Sequence, residues 1–234
     1  MKHRLFLFDL DDTLLDFQAS EQLSFLHTMQ VLGLPELPEG LFSQYQAINL
    51  ALWRSFELGE VSKDFLKVER FRMTFLAQQL DLDPEAASST YLASLANTVV
   101  LIDGARELCR TLAAIGEVGI ITNGVEQIQN QRIASSGLAE HIAFVATSEA
   151  CGHAKPDARF FEYAARMARP FDKREAVIIG DRLDADILGA NRYGIDSCWF
   201  NPGRLANASA AAVPTCEVAA LADVVAALRS LAPH

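Results

Sequence analysis

The sequence predicts an α/β fold, a doubly wound parallel sheet with an inserted α-helical cap, and three features predict it. Short continuous apolar runs recur along the chain, stretches of helical periodicity separate them, and one long early segment contains no strand-like run. Short apolar runs bounded by polar residues suit strands buried on both faces. Their alternation with helical sequence is the pattern of a parallel sheet covered on both sides.

The first run is LFLF at 5–8, stopped by a polar cluster that begins at Asp9. The chain opens on basic residues, but this run is too short for a signal-peptide core and reads as a buried strand. From 17 to 97 the sequence is amphipathic and helical, punctuated by Pro35, Pro38, Gly59 and Pro84. A catalytic core of residues 1–16 and 98–234 with a helical cap of residues 17–97 is therefore predicted. The cap is rooted at the end of the first strand, where open parallel sheets bind ligands, so it is placed to act as a lid. Further strands are predicted at 118–122, 142–147, 177–179 and 198–200, and helices at 105–114, 126–135, 158–168, 185–193 and 219–231. The biased stretch ANASAAAV at 206–213 reads as a surface connection.

Half of the residues are hydrophobic, enough for a substantial core, and the formal charge is −10, from 30 acidic against 20 basic residues. That field disfavours nucleic-acid polymers and anionic membranes as partners, and no run approaches a membrane span. A small phosphorylated substrate meets the same field, which makes a local cation at its site physically desirable. Cys109, Cys151, Cys198 and Cys216 are too scattered for a zinc site or a disulfide framework and suit reduced thiols in a cytoplasm. The five histidines show no ligand spacing.

Four motifs carry chemistry. Asp9 and Asp11, two residues apart at a strand end, project to the same side in extended backbone. Such a pair suits a nucleophile toward phosphorus with an acid/base beside it; a solvated acidic turn is the plainer reading. Ile120-Ile121-Thr122-Asn123-Gly124 ends a buried strand in a hydroxyl, an amide and a glycine. It can offer an O–H and backbone N–H groups to phosphate, and it is equally a good strand-to-helix turn. Lys155, before Pro156 and Asp157, is placed to neutralise phosphate oxygens, although a lone lysine is usually a surface charge. Gly180-Asp181-Arg182-Leu183-Asp184-Ala185-Asp186 follows the fourth predicted strand; hard oxygen ligands of this kind suit Mg2+. Asp181 is the expected direct ligand, Asp186 a supporting one, and Asp184 a helix cap. All four motifs sit at carboxyl ends of predicted strands, which one parallel sheet gathers at one edge.

These motifs resemble the four ordered motifs of the haloacid dehalogenase-like hydrolase superfamily, matched here by DLDDT at 9–13, TNG at 122–124, KP at 155–156 and GDRLDAD at 180–186. The resemblance implies Asp9 as nucleophile and metal ligand, Asp11 as general acid/base and backbone metal ligand, Thr122 and Lys155 as phosphate binders, and Asp181 with Asp186 at the Mg2+. The second acid at position 11 looks like the phosphatase branch, and the family carries a helical cap after its first motif. The phrase YQAINLALW at 45–53, with the ITNG and CWFN segments, is similar to the house-cleaning pyrimidine 5′-nucleotidases. That similarity implies pyrimidine nucleoside monophosphates, non-canonical ones included, as substrates.

Tyr45, Asn49 and Trp53 lie on one helical stripe. Either an aromatic there stacks on a base while Asn49 reads its edge, or the aromatics are core residues of a helical bundle. The same four motifs serve sugar-phosphate and phosphoglycolate phosphatases and phosphomutases, and a binding protein on the same fold is the rival outside enzymes. A monomer or a homodimer is compatible with all of these readings.

Overall fold

The apolar runs pair into one sheet. In this computed structural model, which describes residues 1–231, β1 (Leu5–Phe8), β2 (Glu117–Thr122), β3 (Phe144–Thr147), β4 (Ala176–Gly180), β5 (Asp196–Phe200) and β6 (Cys216–Val218) form a six-stranded sheet. The strand order is β3-β2-β1-β4-β5-β6, and every neighbouring pair is parallel. The chain winds outward from β1 through β2 to β3, then crosses to β4 and winds the other way. The reversal falls between β1 and β4, whose carboxyl ends therefore flank the crevice in which such sheets bind ligands. All four residues of β1 and all five of β4 are buried, as strands covered on both faces must be.

Clustering of contacts divides the chain into two compact units, one built from Met1–Phe17 with the chain from Val100 onward, the other from Gln18–Val99. The helical sequence of the second unit forms α1 (Phe17–Val31, its first residue belonging to the first unit), α2 (Leu41–Glu57), α3 (Lys63–Ala77) and α4 (Pro84–Asn97). Ser62 caps α3 by accepting from Phe65 N at 3.2 Å. Asp83 caps α4, with Pro84 in its first turn, where a missing N–H costs nothing. The core of this unit is aromatic: Tyr45 packs on Phe25 at 4.6 Å and on Phe71 at 5.2 Å between ring centroids, and Phe71 meets Tyr91 at 5.6 Å. Tyr45 is fully buried there, so this member of the helical stripe is a core residue.

The helices of the first unit are α5 (Ala105–Ala113), α6 (Glu126–Ser136), α7 (Ser148–Cys151), α8 (Ala158–Met167), α9 (Leu188–Tyr193) and α10 (Val224–Ser230). On one sheet face Leu5, Leu7, Ile121 and Ile178 form a core with Phe160, Phe161 and Ala164 of α8. Burying each such Leu, Ile or Phe contributes roughly 1.5–3 kcal/mol. Three sequence expectations are corrected. A 3-10 turn at Ala139–His141 delays β3 to Phe144. A turn of π-helix at Leu183–Ile187 precedes α9. The segment expected to open the last helix at 219 holds a 3-10 turn, Leu221–Asp223, and before it lies β6. That strand has three residues, of which Glu217 is exposed, so a sheet-edge strand showed no apolar run.

Candidate active site

The first motif rides on the middle of the sheet. Asp9 follows β1 directly, and its backbone N–H still bonds to the Ile179 carbonyl of β4 at 2.9 Å. The Asp9 side chain is almost fully buried and meets Lys155, whose ammonium lies 2.6 Å from Asp9 Oδ1, 2.7 Å from Asp186 Oδ1 and 3.0 Å from the Ile121 carbonyl. Those three acceptors match the three N–H groups of an ammonium. Lys155 is held in turn by Asn123, whose amide accepts from Lys155 N at 2.8 Å and donates to Lys155 O at 3.2 Å. Asn123 thus ties the loop that delivers the lysine to the end of β2.

The fourth motif closes the other side. Thr13 Oγ1 donates to Asp181 Oδ1 at 3.2 Å and accepts from Asp181 N at 3.1 Å, while Trp199 Nε1 donates to Asp181 O at 2.8 Å. Asp186, fully buried on the π-helical turn, accepts from Arg182 N at 3.1 Å. A Cβ at position 180 would stand 2.4 Å from Asp186 Oδ2, so the strand must end in glycine for this carboxylate to fit. Asp184, expected to cap the helix, instead faces its neighbour, with Arg182 Nη2 at 2.9 Å from Oδ2. The capping contact to the Arg182 N–H is made by Asp186.

One carboxylate oxygen from each of Asp9, Asp181 and Asp186 lies within 4.8 Å of the others. Burial, above all, pushes Asp9 up to about 7; Lys155 opposes the rise and Asp186 adds to it. Burial likewise holds Asp181 well above the usual carboxylate range, reinforced by Asp9 and Asp186. Burial pulls the Lys155 ammonium down, but Asp186 and Asp9 outweigh it and the net direction is up. With all three carboxylates ionised, one ammonium leaves a surplus of negative charge, and this crowding adds to the pull of Asp9 and Asp181 toward their protonated forms. An all-oxygen, partly water-accessible cluster with that surplus fits a hard divalent cation of the magnesium type.

Asp11 takes a different direction. Its Oδ1 accepts from Arg132 Nη1 at 2.5 Å and its Oδ2 from Gln129 Nε2 at 2.6 Å. Gln129 Nε2 also lies 3.0 Å from Thr122 Oγ1, the buried hydroxyl of the second motif. A Cβ at position 124 would come within 2.3 Å of that Gln129 nitrogen, which is why the turn after Thr122 takes glycine. Thr13, Gln129 and Arg132 escaped the sequence reading. A signal for the last two existed, since a glutamine and an arginine three residues apart share the buried stripe of α6 with Ile128, Ile133 and Ser136.

The remaining candidates belong to the second unit. Asn49 is buried; it donates to Glu21 Oε1 at 2.8 Å and accepts from Arg70 Nη1 at 3.2 Å. Trp53 is half-buried, edge-on to Phe56 at 5.7 Å, with the Lys63 ammonium 5.8 Å from its ring.

Residues 3–194 match the family model described as haloacid dehalogenase-like hydrolase. The chain is 35% identical to the pyrimidine 5′-nucleotidase PynA of Streptococcus pneumoniae, over 96% of this chain and 94% of that protein. It is 29% identical to the pyrimidine 5′-nucleotidase YjjG of Escherichia coli, over 86% and 87% of the two chains. The magnesium-bound crystal structure of the HAD-hydrolase YfnB from Bacillus subtilis superposes with a TM-score of 0.90 at 33% identity, covering 97% of this chain and 98% of that one. No helix among the described residues is long and apolar enough to cross a membrane.

Proposed function

The chain belongs to the haloacid dehalogenase-like hydrolase family, and from that premise we propose that it is a magnesium-dependent phosphomonoesterase that works through an aspartyl-phosphate on Asp9. Pyrimidine nucleoside 5′-monophosphates, non-canonical ones included, are its proposed substrates. The observation that carries the chemistry is Asp9, at the β1 end of the switch point, facing Lys155 and two further carboxylates within 4.8 Å. The substrate class is supported by the likeness to PynA and YjjG.

Asp9, Asp181 and Asp186 would hold the cation, which when bound supplies positive charge that offsets their repulsion and that of the phosphate. Lys155 and the Thr122 hydroxyl bind phosphate oxygens. An Asp9 carboxylate oxygen forms a bond to phosphorus as the ester P–O bond breaks, and Asp11 gives its proton to the departing oxygen. Asp11 then takes a proton from water, whose oxygen bonds to phosphorus as the Asp9–phosphorus linkage breaks, releasing phosphate and restoring both carboxyl groups.

The test is phosphate release from pyrimidine and purine nucleoside monophosphates, sugar phosphates and phosphoglycolate, with Mg2+ and with chelator, compared as kcat/KM. Metal-dependent preference for pyrimidine monophosphates is expected. Preference for another ester keeps the mechanism and discards the substrate. Phosphoryl transfer between positions of one sugar points to a mutase, and no turnover of any ester removes the enzymatic reading.

A further inference from the structure

Arg132 is fully buried, yet of its guanidinium nitrogens only Nη1 is engaged, with Asp11 Oδ1 at 2.5 Å and Gln129 Oε1 at 2.9 Å. Nε and Nη2 are buried without a hydrogen-bond partner. The Phe17 ring, 5.9 Å from the guanidinium carbon, offers a weak cation–π contact. A buried guanidinium with most of its donors unmet is costly, and a helix needing only to pack would do better with Leu or Met there. The side chains it does serve are Asp11 and Gln129.

Asp11 lies past the end of β1, in an isolated bridge to Leu15, followed by Asp12 at φ 56°, and its side chain is 27% exposed. Left alone, such a carboxylate samples several rotamers. Here each oxygen has its own donor from α6, and the donor at Oδ2 is shared with the Thr122 hydroxyl. Oδ2 therefore shares its donor with the hydroxyl assigned to phosphate, while Oδ1 is held by Arg132.

We propose that Arg132 and Gln129 are positioning residues that fix the Asp11 carboxylate for proton transfer, with Oδ2 as the proton-carrying oxygen. This rests on the reading of Asp11 as acid/base in the proposed reaction. The charge-assisted contact of Arg132 to Oδ1 is the stronger of the two and persists through the step. The neutral amide of Gln129 yields Oδ2 to the leaving oxygen, which gains the proton as its bond to phosphorus breaks. In the second half-reaction Oδ2 takes a proton from the attacking water. Holding the donor in place is the entropic part of catalysis, so losing the clamp should reduce kcat/KM, which reads the phosphoryl-transfer half, where proton donation matters and spare it elsewhere.

The experiment is kcat/KM of the magnesium-loaded enzyme over aryl phosphates of graded leaving-group basicity, for Arg132→Met, Gln129→Leu, Arg132→Lys and Asp11→Asn. A basic leaving group needs the proton, whereas p-nitrophenolate hardly does. Arg132→Met should lose about 100-fold on the most basic leaving group and under about 3-fold on p-nitrophenyl phosphate, with partial rescue by Arg132→Lys. Gln129→Leu, which leaves the buried guanidinium in place and carries the test should Arg132→Met not fold, should lose about 10-fold with the same selectivity. Equal losses across the series, or none, overturn the proposal. If Asp11→Asn is steep while the α6 variants are flat, positioning alone fails; if Asp11→Asn is itself flat, the acid/base reading fails and the proposal falls with it.

Discussion

Each unit buries a cluster of charged side chains, and the two clusters differ in charge balance. In the second unit Glu21 accepts from Asn49 at 2.8 Å and Gln46 at 3.1 Å, and Asn49 relays to Arg70, whose guanidinium sits 4.5 Å from the Tyr91 ring and 5.3 Å from that of Phe71. One carboxylate answers one guanidinium through an amide. In the first unit a single Lys155 pairs with Asp9 and Asp186, and Asp181 brings a third carboxylate within 4.8 Å of theirs. The balanced cluster ties helices together by itself. The unbalanced one keeps an electrostatic cost that packing does not remove, and such a surplus at the switch point of a sheet marks a place for a cation and an anionic substrate.

The comparison can be broken most sharply at Asp9. Asp9→Asn removes the proposed nucleophile and should lower kcat by at least about 10000-fold, measured by phosphate release. Because it also removes one of the crowded charges, the metal-free variant should melt no lower than the metal-free parent. A variant that keeps substantial turnover would end the nucleophile assignment.

Arg70→Met is the matching change in the balanced cluster. It removes a buried positive charge from beside Glu21 and should cost about 3 kcal/mol in urea denaturation. A loss below about 1 kcal/mol would show that the guanidinium does not compensate that carboxylate.

The third expectation concerns pH. Asp9 is raised from 3.8 to about 7, and Asp181 is raised too, so the folded metal-free chain favours their protonated forms. The stability this contributes is fully present below the unfolded value and is lost as pH rises through about 7. Chelated protein should therefore melt at lower temperature as pH climbs from about 5 to about 8, and the rise in Tm on adding Mg2+ should grow over the same window. A metal-induced rise independent of pH would contradict the assigned charge surplus.

The smallest effect is expected at Trp53. Trp53→Ala should raise KM for a pyrimidine monophosphate about 5-fold and leave that for an aryl phosphate unchanged if the ring stacks on a base. Equal changes on both would make Trp53 a packing residue, as Tyr45 is.

Strands β1, β2, β4 and β5 were legible because interior strands of a parallel sheet are apolar on both faces and punctuate themselves against polar ends. β6 was not, since an edge strand of three residues owes its existence to pairing with β5. Lys155 was legible as a residue next to a proline, but its partners were not. Nothing local says that the Asn123 amide would grip the lysine backbone across 32 positions, or that Thr13 would meet Asp181 across 168. Asp9 and Asp11 were read as a same-side pair; packing divides them, one to Lys155 and the other to α6.

By itself the sequence determined the α/β class and three of the four motifs at strand ends, the lysine arriving only after α7, because hydrophobic periodicity is local and a parallel sheet gathers carboxyl ends at one edge whatever lies between. Only the tertiary structure decided which acids crowd together and which is drawn off by Gln129 and Arg132. It also decided whether a buried charge is balanced. Those outcomes depend on distances of a few ångströms between residues far apart in the chain, where Coulomb energy and desolvation change steeply and sequence spacing carries no information.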